Sequence, residues 1–517
     1  MLDIVANPNT NPRRYSPLAF RLLEILPGLC AWSAMLLPFI LAYPIPHLVT
    51  LFIVVFDVYW LLKSIDFSIN LVRGYAQMRR NLRINWQHQL DKSVSLLKQG
   101  DTDILDWREI YQAVILTTYK EDEAILDASI RSIAEAEYPT ERKILFLATE
   151  ERDAENARVL AATLKKRYAH KFAYFVITEH PDGIVGEVKA KGANATWAAK
   201  ELTALANQNS IPLDHIVVST ADADCRFESH YFQCLSYMYT TTPDRVHRFY
   251  QPIATFLNNI WEAPAISRVL AYQTTAFLLS RSMQEYKLVT FSTHAMSLQT
   301  LVDIDYWCTS VVNEDSRQYY RAYFHYKGNF RAIPLFMPVY MDAVYTGDAR
   351  RTLRNLYLQQ QRWAYGVEHF PYIILECLRQ TKIPLLDRLT LVWRSWNGAF
   401  SWATQSFFIT IVGWLPIVLN NSFRNQVVAT NFPLVTNYLL TLTWGGIIVC
   451  SAMAIDMLPP RNLKGIQRVV RLIPMVLMWL LMPITSIFFG ALAGIDAQTR
   501  LMLGKYIGFR VTEKKAV

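Results

Sequence analysis

Charge is scarce in this sequence: only 18% of its 517 residues are Asp, Glu, Lys or Arg, against 52% hydrophobic and 13% aromatic. That is too apolar for an ordinary soluble enzyme and too charged for a chain buried wholly in lipid. It implies a soluble domain set between membrane spans. No basic tract occurs either. The net charge of +9 is scattered and flanks apolar runs, so membrane lipids and topology account for it and nucleic acid is not expected as a partner. There is no CxxC pair and no His/Cys cluster. Cys30, Cys225, Cys234, Cys308, Cys377 and Cys450 lie apart, which argues against a structural zinc site and suits thiols facing a reducing cytosol. No small-residue cleavage site follows the first apolar run, so it reads as a span and not as a signal peptide.

Asp, Glu, Lys and Arg are also missing from long stretches. None occurs from Ile25 to Phe56, and Tyr43-Pro44-Ile45-Pro46 divides that region into a hairpin over 25–63. Asp57 falls inside its second span, either as a functional carboxylate or as one solvated near an end. Uncharged stretches 395–423 and 425–455 predict a second hairpin, placed at 398–455, and 472–495 is a fifth apolar run. Arg13, Arg14 and Arg21 put a cytosolic tail at 1–24, and Arg461, Lys464, Arg468 and Arg471 put the later loop in the cytosol. The plasma (inner) membrane is the expected location, with both termini cytosolic. Pro483 is expected to break the last run, keeping the basic tail of 456–517 on that side. Residues 64–107 and 371–397, rich in aromatics and basic residues, read as interfacial segments.

Between the membrane regions, 108–370 alternates strand-like and helical patterns. Apolar runs at Ala113–Thr118, Lys143–Ala148, Phe175–Ile177 and His215–Ser219 alternate with helical spacing such as Ile125, Ala128, Ile130 and Ile133. That predicts an α/β domain with a mostly parallel sheet and flanking helices, whose ligands bind at the carboxyl ends of strands.

Three elements there carry chemistry. Asp222 and Asp224, one residue apart after a strand, suit a hard divalent cation shared with diphosphate oxygens. In Asn313-Glu314-Asp315, Asp315 is the candidate general base for an attacking hydroxyl; the same residues also suit a helix N-terminus. In Gln359-Gln360-Gln361-Arg362-Trp363, Trp363 suits stacking on a sugar, and the Gln and Arg suit a diphosphate or hydroxyls.

The ordered set of DxD, ED and QxxRW, followed by returning spans, resembles the family 2 glycosyltransferases, in the membrane branch of cellulose, chitin and hyaluronan synthases. The resemblance implies a GT-A-type cytosolic domain, an inverting mechanism, a nucleotide-sugar donor (a UDP-sugar ahead of a GDP-sugar) and Mg2+ or Mn2+. It puts Thr118, Tyr119, Glu121, Glu150, Lys191, Asn194 and Asp222 at the donor, and Asp222 and Asp224 at the metal. Asp315 becomes the base, with Glu314, Gln359, Arg362 and Trp363 at the acceptor and diphosphate. Phe509, Val511 and Thr512 look like the FxVTxK gating loop. The sequence departs from the pattern at Ala148-Thr149-Glu150-Glu151, where an Asp-Asp pair is usual. It departs again at Phe291-Ser292-Thr293-His294-Ala295, where a glycine-containing acceptor loop is usual and where His294 reads as packed. The further spans and regulatory domain of cellulose synthases do not follow the gating-like motif. The expected acceptor is a growing polysaccharide, with a single sugar placed on a lipid as the alternative, a transporter or scaffold as the other class, and accessory or homo-oligomeric partners left open.

Overall fold

The computed structural model describes residues 15–97, 104–443, 445–459 and 466–508. The described residues form two compact units, one within 74–260 and 281–343 with Gly508, the other within 15–73, 261–280 and 344–507. Phe509, Val511 and Thr512 lie outside the described residues.

The first unit is mixed α/β, as expected. Its eight-stranded sheet has the order β3-β2-β1-β4-β7-β6-β8-β5, with β1 Tyr111–Thr117, β2 Lys143–Glu150, β3 Tyr174–His180, β4 Ile216–Asp222, β5 Arg226–Phe227, β6 Arg248–Thr255, β7 His294–Ser297 and β8 Arg331–Tyr340. Strands β3, β2, β1 and β4 run parallel. Strand β7 is antiparallel to both β4 and β6, β6 and β8 pair in parallel, and β5 closes antiparallel on β8. Val114, Ile115 and Leu116 on β1 and Ile144–Ala148 on β2 are fully buried. Both faces of these strands are covered, which is why they read as unbroken apolar runs and do not alternate. The helix Glu123–Glu135 buries Ile125, Leu126, Ile130 and Ile133, one helical stripe.

The candidate site residues gather where β1 and β4 end together. Thr117 is in register with Asp222 across the parallel pair, so the loop after β1 and the acidic turn after β4 open on the same edge.

The second unit is helical. Among the described residues, three helices are long and apolar enough to cross a membrane: Pro17–Leu41, Pro46–Asn81 and Leu472–Met502. A fourth counts if Leu385–Thr410 and Val412–Leu419, bent by 42°, make one span. The helical path continues through Pro483, where the sequence suggests a break. A 3-10 turn at Met478–Leu481 and a π segment at Ser486–Ala491 take up the irregularity, and Pro483 sits in the first turn of its own short helix, where no N–H is needed. Small residues set the closest crossings. Gly28 packs under Gln498 and Met502, and Gly494 under the Ala403 backbone; a methyl at either glycine would lie 3.0–3.2 Å from those atoms. Asp57 is not solvated near an end: it is 3% exposed, with Thr436 beside it.

Glu24 is also buried in this unit. It accepts from Arg21 and from the Tyr506 hydroxyl, each at 2.9 Å, while Arg21 donates to the carbonyls of Leu501 and Met502. The last helix therefore ends on a guanidinium, as its negative pole favours.

Candidate active site

The acidic turn is built by β4 and the helix Lys191–Gln208. The amide of Cys225 donates to the Asp222 carbonyl at 3.0 Å, closing a tight turn that carries both carboxylates. Asp222 keeps its side chain 36% exposed, with Lys191 Nζ 2.8 Å from Oδ1 and Ser292 Oγ 2.7 Å from Oδ2. Asp224 is buried, and its Oδ2 accepts the Asp342 amide at 2.8 Å.

Lys191 heads its helix beside a glycine for a steric reason. A Cβ at Gly192 would lie 2.9 Å from the Cys308 carbonyl oxygen and 2.9 Å from Glu314 Cβ. Only glycine lets the helix start close enough for one ammonium to face Asp222 and Glu314. Burial opposes the charge of Lys191, but these two carboxylates outweigh it and hold the ammonium above the ordinary lysine range.

Glu314 and Asp315 open the helix Glu314–His325, and Asn313 at its cap makes no side-chain capping bond. Burial raises the pKa of both carboxyls, and each pushes against its surroundings differently. Glu314 goes up to about 8, first through burial and then through the charge on Asp315. Asp315 is raised by burial but partly held down by amides: Ser292 N donates to Oδ2 at 2.8 Å and Ser316 N to Oδ1 at 2.7 Å. The charge on Asp315 pushes Glu314 up while the two amides pull Asp315 down, so Asp315 is the first of the pair to give up its proton. A stability consequence follows. Because the folded pKa of Glu314 (about 8) exceeds its ordinary 4.5, the native state holds a proton that the unfolded chain has lost, so stability falls as pH rises across that window and levels above it. Glu314→Gln is expected to flatten this fall and to melt higher than the wild type at pH 8. Melting midpoints from pH 5 to 9 test it, and parallel curves for the two proteins would contradict it.

On the loop after β1, Lys120 takes a left-handed backbone (φ 59°) and its amide donates to Asp153 at 2.8 Å. The guanidinium of Arg152 lies 3.9 Å over the Tyr119 ring and pairs with Glu150, so these residues form one group at the ends of β1 and β2. The Thr118 amide and Asn194 Nδ2 both donate to the Ala148 carbonyl, at 3.0 and 2.9 Å; Asn194, 1% exposed, thus ties its helix to the end of β2. Glu121 follows on the same loop, half-buried. His294 is packed, as expected. Burial, and then the Lys191 charge, push its pKa down to about 3, so it is neutral.

Gln359, Arg362 and Trp363 lie in the helical unit on the helix Ala349–Ala364, which the Asp348 side chain caps by accepting from the Arg351 amide. Gln361 and Tyr357 on that helix both donate to Asp496.

Two residues carry site contacts for which no role was read from the sequence. Gln251, in the interior of β6, and Ser292, inside Phe291–Ala295, hold the loop between the carboxylates. A buried polar residue in a strand was the one available signal for Gln251.

The chemistry of the donor set suits a divalent cation. Among the described residues, no group of three or more His, Cys, Asp or Glu side chains is placed to hold a metal. Two carboxylates at a strand end match a hard ion that completes its shell with phosphate oxygens and water.

The fold and site together define a mixed α/β domain with a buried acid-base cluster at its strand ends, joined to apolar helices of spanning length. No protein-family model matches the chain, and no curated protein sequence does. Among solved structures it is similar to a mannosyltransferase from Pyrobaculum calidifontis in complex with GDP-Man and Mn2+, at 12% identity and a TM-score of 0.42, over 88% of this chain and 100% of that one. It is similar to S. aureus TarS 1-349 in complex with UDP-GlcNAc, at 13% identity and a TM-score of 0.35, over 69% of this chain and 95% of that one. A third is GalNAc-T7 with UDP, GalNAc and Mn2+, at 8% identity and a TM-score of 0.29, over 62% and 58%. Likenesses this distant carry no weight for the chemistry, which rests on the side chains.

Proposed function

We propose that the protein is an integral-membrane inverting glycosyltransferase of the GT-A type, extending a polysaccharide from a nucleotide-sugar donor in the manner of family 2 synthases. One observation carries the reading: the buried ammonium of Lys191 faces Asp222, Glu314 and Asp315 at once. Such a cluster pairs a seat for a diphosphate and its cation with an ionised base. In the reaction, an acceptor hydroxyl oxygen attacks the anomeric carbon as the bond to the donor phosphate breaks. Asp315 takes the hydroxyl proton, and the electron pair leaves with the nucleoside diphosphate. Lys191 faces the charge gathering on that leaving group. Asp222 and Asp224 would hold a divalent cation, which when bound would supply further neutralisation there. Thr118, Tyr119, Glu121, Glu150 and Asn194 frame the nucleotide end, and Gln359, Arg362 and Trp363 serve the acceptor and diphosphate. In this reading the α/β domain lies on the cytosolic side, and the chain is held to the membrane by its apolar helices.

The test supplies the full-length protein, in lipid nanodiscs, with radiolabelled UDP- and GDP-sugars and Mg2+ or Mn2+. Incorporation from one donor, abolished by chelation and restored by the ion, is expected, with UDP-sugars favoured. Product sizing separates a polymer from a single sugar on a lipid. No incorporation from any donor would overturn the reading.

A further inference from the structure

The loop Thr290–Thr293 is shaped by a single buried side chain. Gln251 is fully buried. Its Oε1 accepts the Phe291 amide at 2.9 Å, and its Nε2 donates to the carbonyls of Phe291 and Thr293 at 3.1 and 3.0 Å. Gln251 is in register with Pro334 of β8, and the β6–β8 pairing shifts immediately after it, between Gln251 and Ile253, where β8 carries the extra residues. From the far side, Thr290 Oγ1 donates to the Asp315 carbonyl at 2.6 Å, and Thr293 Oγ1 lies 3.1 Å from Cys225 Sγ.

Clamped this way, Ser292 is forced to a left-handed backbone, φ 49°, which costs on the order of 1 kcal/mol for a residue with a Cβ. The conformation sends its two donors to two different carboxylates. The amide meets Asp315 Oδ2 at 2.8 Å and the hydroxyl meets Asp222 Oδ2 at 2.7 Å. Glycine would relieve the backbone but has no hydroxyl, so the strain is retained where a side-chain donor is needed.

We propose that Ser292 is a positioning residue that links the donor-side carboxylate of Asp222 to the base Asp315, with Gln251 as its clamp. The inference rests on the glycosyl-transfer reading. Its hydroxyl orients Asp222 for the donor, while its amide fixes the face of Asp315 that meets the acceptor hydroxyl. The two functions sit on separate atoms of one residue and are separable.

Ser292→Ala removes only the hydroxyl. It is expected to raise donor KM, and the Kd for UDP or GDP measured by calorimetry with Mn2+, about tenfold, the effect of one hydrogen bond to a charged group. The amide stays, so kcat stays within about threefold. Ser292→Asn, which tolerates the left-handed backbone and keeps a side-chain donor, is expected to recover part of the loss. Gln251→Leu frees the loop and is expected to lower kcat by more than it raises donor KM. Ser292→Ala with unchanged Kd and KM would overturn the link while leaving the transfer reading intact. Equal falls in kcat, donor affinity and melting midpoint would also overturn it, as a purely structural role. A wild-type protein that neither binds nucleotide nor transfers sugar would overturn both readings.

Discussion

Asp315→Asn is expected to slow sugar transfer by about 10²–10⁴-fold, the usual contribution of a positioned general base, with donor KM nearly unchanged. The carboxamide is almost isosteric, and its one oxygen still accepts one of the two amides that now hold the carboxylate, from Ser292 and Ser316. Removing a buried charge offsets the bond that is lost, so the melting midpoint moves little and a fall in rate cannot be assigned to unfolding. The pH profile of the wild type carries the same prediction in another form. Burial raises the pKa of Asp315, and the base works only when ionised. Activity is thus present above that raised pKa and disappears as pH falls through it, with an acid limb above the ordinary carboxylate range. The Asn variant should show its residual rate without that limb. Transfer by Asp315→Asn at the wild-type rate would remove Asp315 from the mechanism.

The sequence announces half of the sheet and hides the other half, for physical reasons. Strands β1, β2 and β4 stand out because a parallel layer covered on both faces needs unbroken apolar runs, while the edge strand β3 shows only a short apolar stretch, Phe175–Ile177. Strand β8 carries Pro334 and Pro338, residues that argue against a sheet interior. They are accommodated because the β6–β8 register breaks between Gln251 and Ile253, and because β5 pairs only with Val339 and Tyr340. Strand β7 is four residues long, too short for periodicity to register. At the site, Asp222 was legible because a carboxylate directly after an apolar run falls on the ligand edge of such a sheet. Lys191 and Asn194 were legible only through the resemblance; the reason a glycine follows Lys191, the approach of Glu314 and Cys308 to Gly192, is tertiary. Ser292 was legible only as a position in the segment that stands where the acceptor loop is usual, and Gln251 only as a polar residue in a strand; their contacts depend on strand pairing and a left-handed turn that arise only on folding.

Lys191→Met is expected to abolish transfer and to lower stability by about 3–5 kcal/mol, the cost of removing one partner from a buried ion pair. The ammonium lies 2.8 Å from Asp222 Oδ1 with its side chain only 11% exposed. Its loss leaves Asp222, Glu314 and Asp315 facing one another without a cation. A shift in melting midpoint on the order of 10 °C corresponds to that loss in a unit of this size. The pH dependence separates this explanation from loss of packing, which methionine largely preserves. Without the cation, the carboxylates of the folded variant have pKa values raised further above those of the unfolded chain. The native state then binds more protons than the unfolded state, and stability falls as pH rises. The gap between wild type and variant should therefore be small near pH 5, where the carboxylates take up protons, and should widen toward pH 8. Lys191→Arg keeps a charge but brings a planar fork in place of a compact ammonium, so it is expected to restore more of the melting midpoint than of the transfer rate. A gap between wild type and Lys191→Met that stays constant from pH 5 to 8 would mean that Lys191 contributes bulk and not charge. The cluster would then lose the cation on which its diphosphate seat depends.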